Sequence, residues 1–421
     1  MTDVALGIDI GTSGVRIVAV NSSGKIEAMS AKPIIAPLQG FGRILQDPAI
    51  WWDATSEALR ALDLKGLTVR AIAVDGTSGT ILPVAENGTP LGLASMYNDV
   101  AEPSDLAKVK AAASPDTAAL GSTSPLARAL PMAANAERIL HQADWIAGQF
   151  SGRFDSSDEN NALKTGYDPV ARRWPEWVEK TGIEPAKLPN VVPAGTKIGT
   201  IMPEAAKAFG LPSDTAIVAG TTDGCAAFLA SGASEAGDGV TSLGTTLTIK
   251  LLSATPVFAP AFGIYSHRIG DRWLAGGASN TGGAVLVKHF RKVEIVELSK
   301  SIDPSKPTGF DYYPLNEPGE RFPVNDPGFA PRLTPVPEDR KLFLQAILEG
   351  IAAVESLGYA KLAELGASPL VSIRTVGGGA GNEAWTKLRL AALKVPAKQA
   401  DNDQAAAGAA RLAWRGIGHA Y

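Results

Sequence analysis

Cysteine is almost missing from this 421-residue chain: Cys225 is the single copy, so no internal disulfide can form. Histidine is nearly as scarce, and His141, His267, His289 and His419 fall at no ligand spacing, which excludes a Cys/His metal cluster. Charged residues make up 19%, the formal net charge is −4, and no basic block occurs. A field of that sign and size favours neither nucleic acid nor an anionic membrane surface as partner. No uncharged apolar run approaches the ~18 residues of a membrane span. The opening MTDVALGID places an acidic residue and a β-like run where a signal peptide needs basic residues. A cytoplasmic protein in a reducing setting is expected. The chain also lacks GK[ST], GxGxxG and GxSxG, the marks of a P-loop, a dinucleotide fold and a serine-hydrolase elbow.

Hydrophobic residues are plentiful at 45%, and the length suits two or three compact units. Val4 to Asp9 is apolar and β-prone, Gly11-Thr12-Ser13-Gly14 follows, and Val15 to Val20 is a second apolar run, so strand, glycine turn and strand are expected. The arrangement recurs as Val240 to Leu243, Gly244-Thr245-Thr246 and Leu247 to Leu251. A boundary falls in Ser231 to Gly239, giving lobes 1–230 and 231–402, with a C-terminal helix 403–421 that can pack back on the first. Further strands are expected at Arg70 to Val74, Thr215 to Ala219 and Val371 to Val376. Helices are expected at Ala49 to Leu62, Leu130 to Phe150, Glu338 to Leu365 and Asn382 to Leu393. The stretch from Asp303 to Pro337 holds nine of the 29 prolines and reads as a long ordered loop. The class is α/β.

Several constellations carry chemistry. Backbone N–H groups of Gly11-Thr12-Ser13-Gly14 can approach phosphate oxygens, and Asp9 could hold a hydrated divalent cation. An ordinary hairpin, with glycine supplying a positive φ, competes for that turn. The second turn, Gly244 to Thr246, favours a nucleotide gripped by both. Asp223 ends a strand and turn and precedes a helical run; it reads either as a helix N-cap or as a general base that takes a proton from a substrate hydroxyl attacking the γ-phosphorus. Gly377 to Gly381 can lie flat against a purine or ribose, with Asn382 bonding to a base or sugar edge, or can be a crowded strand-to-helix turn. The polar segments Asp75 to Thr80 and Tyr97-Asn98-Asp99 suit a polyhydroxylated ligand or are two surface turns. An ATP-driven clamp and a sugar-sensing protein without catalysis are rivals to a phosphotransferase, the latter weakened by the presence of both Asp9 and Asp223.

In their order along the chain, these motifs resemble the FGGY carbohydrate kinases. GIDIGTSGVR is similar to the family's first phosphate motif, AGTTDGCAAFLASG to its catalytic-aspartate segment, SLGTTL to its second phosphate motif and VGGGAGNEAWTKLRLAAL to its adenosine motif. The resemblance implies a two-lobed, actin-like (ribonuclease H-like) ATPase fold with a central cleft, using ATP and Mg²⁺. It implies that Asp9 positions Mg–ATP, that Asp223 is the base, and that both face the metal through water. Gly11, Thr12, Ser13, Gly244, Thr245 and Thr246 would then contact phosphates, and Gly378, Gly379 and Asn382 adenosine. Where xylulokinases carry a Gln-Met-His sugar segment this chain reads GTSGT, and Ala101 stands where the family often has arginine. GTSGT and the short length resemble the compact plant and cyanobacterial branch linked to D-ribulose, which implies Ser78, Asp99 and Asp223 as sugar contacts. The expected enzyme is a ketopentose kinase, D-ribulose first and D-xylulose second, acting on small molecules as a monomer or homodimer.

Overall fold

The near-continuous apolar run at the start forms strand β1 (Thr2–Ile10), buried on both faces from Val4 onward. Rather than entering a helix after the glycines, the chain returns antiparallel as β2 (Gly14–Asn21) and then β3 (Ile26–Pro33). On the other side of β1 lie β4 (Leu67–Gly76), parallel to it, and then β6 (Ala216–Thr222), with β5 (Lys197–Thr200) at the edge. The order is β5-β6-β4-β1-β2-β3. The computed structural model describes residues 1–40 and 42–419. These divide into two units: 1–230 with 267–270 and 404 onward, and 231–266 with 271–403.

In the first unit, helix α1 (Asp223–Ala230) follows β6, and helix Ala405–Arg415 packs across β1. That approach is possible because Gly7 has no side chain: a Cβ there would lie 1.7 Å from the carbonyl oxygen of Ala406. Trp414 fixes the helix further, its indole N–H donating to the Val20 carbonyl at 2.9 Å. Of the expected 403–421 segment, Ala420 and Tyr421 lie outside the described residues. A second sheet of this unit brings together Leu38–Gly40, Arg43–Gln46, Ala94–Ser95, Ile81–Val84 and Arg138–His141.

The expected helix Leu130 to Phe150 is not formed as one element. Helix Pro125–Ala133 ends, strand Arg138–His141 intervenes, and a new helix, Gln142–Ser151, begins. Pro131 removes a helical N–H near the first break. The restart is set by Asp144, whose carboxylate accepts the His141 backbone N–H at 3.2 Å in a capping box.

In the second unit β7 (Asp238–Leu243) and β8 (Leu247–Ser253) form the second strand–turn–strand, flanked by β9 (Arg272–Ser279) and by β10 (Ser372–Val376), which runs parallel to β7. Helix α2 (Arg340–Glu364) is long and apolar enough to cross a membrane, but it is largely buried within this unit, with Phe343, Ile347, Ile351 and Val354 in its core. The proline-dense stretch forms no helix or named strand, yet it inserts Tyr312, Tyr313, Leu315 and Phe322 into that core. Helix α3 (Glu383–Leu393) follows β10. Its Arg389 makes two 2.6 Å hydrogen bonds to the buried carboxylate of Glu355 on α2, which also accepts from Thr241 of β7 at 2.5 Å. This fully buried pair ties both helices to the strand that leads into the Gly244 turn.

Candidate functional site

Parallel pairing brings three strand ends of the first unit level. Asp9 of β1 is in register with Asp75 of β4, and Asp75 with Thr221 of β6, two residues before Asp223. Three carboxylates therefore share the C-terminal edge of one sheet, where side chains of neighbouring strands converge. Asp9 is 6% exposed and bonded to Arg16 at 3.3 Å, its cross-strand partner on β2. Burial raises the Asp9 pKa and the charge of Asp223 adds to the rise, while Asp75 and Arg16 oppose it. Asp75 is fully buried, and neither carboxyl oxygen accepts a hydrogen bond from a protein donor among the described residues. Burial, then the charges of Asp9 and Asp223, push its pKa well above the usual carboxylate range. A neutral Asp75 that donates its proton to Asp9 accounts for both directions.

That proton has a measurable consequence. Between the unfolded pKa and its raised native value, the folded chain binds a proton that the unfolded chain has released, so stability falls as pH rises. Asp75→Asn keeps a donor toward Asp9 and removes this loss. Its Tm should exceed the wild-type value at pH 8, with the gap closing toward pH 4, as differential scanning calorimetry would show; equal Tm at both pH values would contradict a neutral Asp75.

The Gly11 to Gly14 turn closes with the Gly11 N–H donating to the Gly14 carbonyl at 3.0 Å. Neither glycine has a positive φ, so the hairpin-glycine explanation fails. Gly14 is required by packing, since a Cβ would lie 2.8 Å from the Lys32 carbonyl oxygen. At Gly11 the nearest atom to such a Cβ is 3.4 Å away, so the fold itself does not demand glycine there. Thr12 is partly exposed and Ser13 exposed.

Asp223 is the first residue of α1 and partly exposed. Its Oδ1 accepts the N–H of the adjacent Gly224 at 2.6 Å, whereas the Thr222 hydroxyl accepts the Cys225 N–H at 3.4 Å, three residues on. Both side chains thus accept N–H groups of the first turn of α1. Cys225 is buried, as a small hydrophobe would be.

Ser78 lies in a braced loop. Thr77 donates through its N–H and hydroxyl to Gln142 Oε1 at 2.9 and 2.8 Å, and Arg128 donates to the Gly79 carbonyl at 2.6 Å. The Ser78 hydroxyl oxygen has no hydrogen-bond partner among the described residues. Asp99 is fully buried and accepts from Arg43 (2.8 to 3.1 Å), the Ile44 N–H (2.9 Å) and Ser95 (2.5 Å). Arg128 in turn donates to Ser95 and to the Ser95 and Met96 carbonyls. Sequence reasoning singled out Asp99 and the segment that begins at Asp75, but missed Arg43 and Arg128. Tyr97 is 41% exposed.

In the second unit the Gly244 turn and the glycine run after β10 lie side by side, because β7 and β10 are parallel and the Gly379 N–H donates to the Leu243 carbonyl at 3.0 Å. Together with Ala284, Ser299 and Asn382, they line a cavity of about 1200 Å³. Gly283 packs on the turn, its N–H donating to the Gly244 carbonyl at 2.9 Å. Gly379 is crowded, since a Cβ would lie 2.6 Å from the Trp385 ring, whereas one at Gly378 would meet nothing within 4 Å. Asn382 caps α3, accepting the Trp385 N–H at 3.0 Å and donating to Ser299 at 2.8 Å. Thr245 is exposed and Thr246 partly so. Lys292, Lys300 and Lys387 also line the cavity, at spacings no motif reveals.

Residues 4–111 and 130–230 match the model of the FGGY family of carbohydrate kinases, N-terminal domain, and residues 239–417 that of its C-terminal domain. The chain belongs to the FGGY family. It is 26% identical to the xylulose kinase of Escherichia coli (strain K12), over 97% of this chain and 89% of that protein, and 26% identical to the L-fuculokinase of Salmonella typhi, over 99% and 93%. The crystal structure of xylulose kinase from Rhodospirillum rubrum superposes with a TM-score of 0.85 at 21% identity, covering 99% of this chain and 90% of that one. The shared fold is the actin-like ATPase fold, and this FGGY kinase is an ATP-dependent sugar kinase. Membership sets aside the clamp and the sugar sensor.

Proposed function

We propose that this FGGY kinase transfers the γ-phosphoryl group of ATP to the terminal hydroxyl of a ketopentose, D-ribulose in preference to D-xylulose. The observation that carries the reading is Asp223, a partly exposed carboxylate at a sheet edge beside Asp9 and Asp75, with Ser78 offering a hydroxyl free of protein partners on the same unit. The GTSGT loop supports D-ribulose, because it puts a small hydroxyl and a glycine where a xylulokinase segment carries larger side chains. D-Xylulose stays second because the Escherichia coli relative is named xylulose kinase.

Asp223 accepts the proton of the attacking hydroxyl as the oxygen closes on phosphorus. Ser78 orients the sugar, and Asp99, expected from the sequence to touch it, has its carboxylate filled by Arg43, Ser95 and the Ile44 N–H and acts instead through Ser95 and Arg128, which holds the Gly79 carbonyl beside Ser78. Gly11, Thr12 and Ser13, and Gly244, Thr245 and Thr246, receive phosphate oxygens; Gly378, Gly379 and Asn382 receive adenosine. Among the described residues no group of three or more His, Cys, Asp or Glu could cage a metal. Buried Asp9 and the carboxylate of Asp223 instead suit Mg²⁺, which keeps its waters and is held through one or two carboxylates and the substrate's phosphates. When bound, that ion neutralises charge on the phosphates. The same reading makes the protein cytoplasmic, a monomer or homodimer, with no nucleic-acid or membrane partner.

A coupled assay of ADP formation against D-ribulose, D-xylulose, L-fuculose and glycerol tests the substrate. The highest kcat/KM with D-ribulose is expected; a higher value with any other acceptor rejects the proposed specificity. Gly11→Ala and Gly378→Ala test the nucleotide contacts. With no intramolecular clash to create, each should leave stability within ~0.5 kcal/mol of wild type. Each should raise the KM for ATP by about tenfold by holding a phosphate or ribose off the backbone. An unchanged KM for ATP would remove that glycine from the nucleotide site.

A further inference from the structure

The proline-dense stretch of the second unit reaches the Gly244 turn through one buried carboxylate. Glu320 is 2% exposed, and every donor it gathers is neutral. Its Oε2 accepts the hydroxyls of Ser279 at 2.5 Å and Tyr313 at 2.9 Å, and its Oε1 accepts the N–H groups of Asn280 at 2.8 Å, Arg321 at 2.9 Å and Phe322 at 3.4 Å. Ser279 ends β9, and Asn280 opens the connection to helix Gly283–His289. That connection is latched twice more to the same stretch, by the Asn280 amide donating to the Gly319 carbonyl at 2.9 Å and by the Thr281 hydroxyl donating to the Pro314 carbonyl at 2.5 Å.

The connection in turn backs the Gly244 turn. Leu247 donates its N–H to the Thr281 carbonyl at 2.7 Å, and the Gly244 and Thr245 carbonyls accept the N–H groups of Gly283 at 2.9 Å and Ala284 at 3.0 Å. A trans peptide points its C=O and N–H to opposite sides, so the N–H groups of Thr245 and Thr246 face away from the backing segment. Gly244 and Thr245 line the cavity. The backing segment does not hold its shape unaided: Gly282 sits at φ 140°, where a Cβ would lie 2.8 Å from the Leu247 nitrogen and the Thr245 oxygen, and a second glycine follows. Adjacent glycines lose the most conformational freedom on ordering, so the pair has to be fixed from outside. A carboxylate taken out of water is costly, and this one spends its oxygens on the residues just before the glycines.

We propose that Glu320 is a positioning residue for the phosphate chain of the nucleotide: through Ser279 and Asn280 it fixes the backing segment, which aims the Thr245 and Thr246 N–H groups at phosphate oxygens. The inference rests on the reading of the Gly244 turn as a phosphate contact and adds what shapes that turn. Adenosine, assigned to Gly378, Gly379 and Asn382, lies outside its action.

The test uses the full-length enzyme with Glu320→Ala, Glu320→Gln, Ser279→Ala and Tyr313→Phe. The Kd of ADP by isothermal titration calorimetry, the Ki of adenosine as a competitor of ATP, and Tm are measured. Glu320→Ala should raise the Kd of ADP at least ~10-fold while the Ki of adenosine stays within about twofold of wild type. Glu320→Gln should recover most of the ADP affinity, because its oxygen can take the N–H groups while its amide donates to the two hydroxyls. Ser279→Ala, on the side of the turn, should weaken ADP binding about fivefold, the loss of one hydrogen bond. Tyr313→Phe, on the far side of the carboxylate, should lower Tm and leave the Kd of ADP within about twofold of wild type. If Glu320→Ala is insoluble the last pair decides, and Ser279→Ala that binds ADP as tightly as Tyr313→Phe overturns the inference. A Glu320→Ala enzyme that loses ADP and adenosine affinity equally, or loses neither, also overturns it and leaves the phosphate reading of the turn standing. A wild-type enzyme that binds ADP no more tightly than adenosine rejects that reading, and the inference with it.

Discussion

Asp223→Asn should abolish sugar phosphorylation while leaving nucleotide binding intact. Asparagine matches aspartate in shape, and its Oδ1 can still accept the Gly224 N–H that the carboxylate accepts at 2.6 Å. What disappears is the charge we propose takes a proton from the attacking hydroxyl, and general-base assistance contributes ~10²- to 10⁴-fold to such steps. We expect kcat to fall by at least ~100-fold. Stability should not suffer, because asparagine keeps the acceptor for the Gly224 N–H and because the charge of Asp223 works against Asp9 and Asp75 in the native state. A Tm at or above wild type, together with an unaltered dissociation constant for ADP by isothermal titration calorimetry, would separate the chemical effect from unfolding. If the variant turns sugar over at more than a tenth of the wild-type rate, Asp223 is not the base.

Asp99→Ala should be the most destabilising of the substitutions considered. Burial pulls the Asp99 pKa upward, but hydrogen bonds from Arg43, Ser95 and the Ile44 N–H outweigh it and hold the carboxyl below its usual range. The contribution is therefore present above the unfolded pKa and is lost as pH falls through the lower native value. Removing the carboxylate leaves Arg43, about one-third exposed, with no acid partner, and frees the Ser95 hydroxyl that Arg128 also uses. Breaking one side of a buried ion pair costs ~3–5 kcal/mol, and partial exposure of Arg43 argues for the lower end. The midpoint of urea unfolding for the first unit should fall accordingly. Acceptor KM should rise as well, since the chain Asp99, Ser95, Arg128 ends on the Gly79 carbonyl next to Ser78. A midpoint and KM both equal to wild type would show that the network supports neither the loop nor the fold.

The two fates of Asp223 and Asp99 show where sequence reasoning reaches and where it stops. Both were visible as carboxylates near turns, and their local strands follow from apolar runs and glycine punctuation. Cap and base are alternatives for Asp223 that no local pattern separates, and in the folded chain the neighbouring Thr222 hydroxyl also accepts an N–H of the same helical turn. The burial of Asp99 depends on Arg43 and Arg128, 56 and 29 positions away, and no local pattern links them. Asp75 was placed in a polar segment, but its lack of a donor arises only when β4 slides into register between β1 and β6. The same limit explains the broken 130–150 segment: the apolar spacing is helical, but Arg138–His141 pairs with Ile81–Val84, more than fifty positions upstream. The paired glycine turns of the second unit were more legible, because parallel β7 and β10 carry their glycine runs directly at their ends.

The closure of β1 by helix Ala405–Arg415 bears on how the polypeptide is made. The indole of Trp414 bonds to Val20 across 394 positions, and the Gly7 backbone is covered only when Ala406 arrives. During synthesis the opening strands therefore wait, one apolar face uncovered, until almost the whole message has been read. The intervening 231–403 stretch carries its own core and can settle earlier. A premature stop within the last twenty codons would thus be felt at the opposite terminus, and nascent chains of that length are the ones expected to engage holding chaperones.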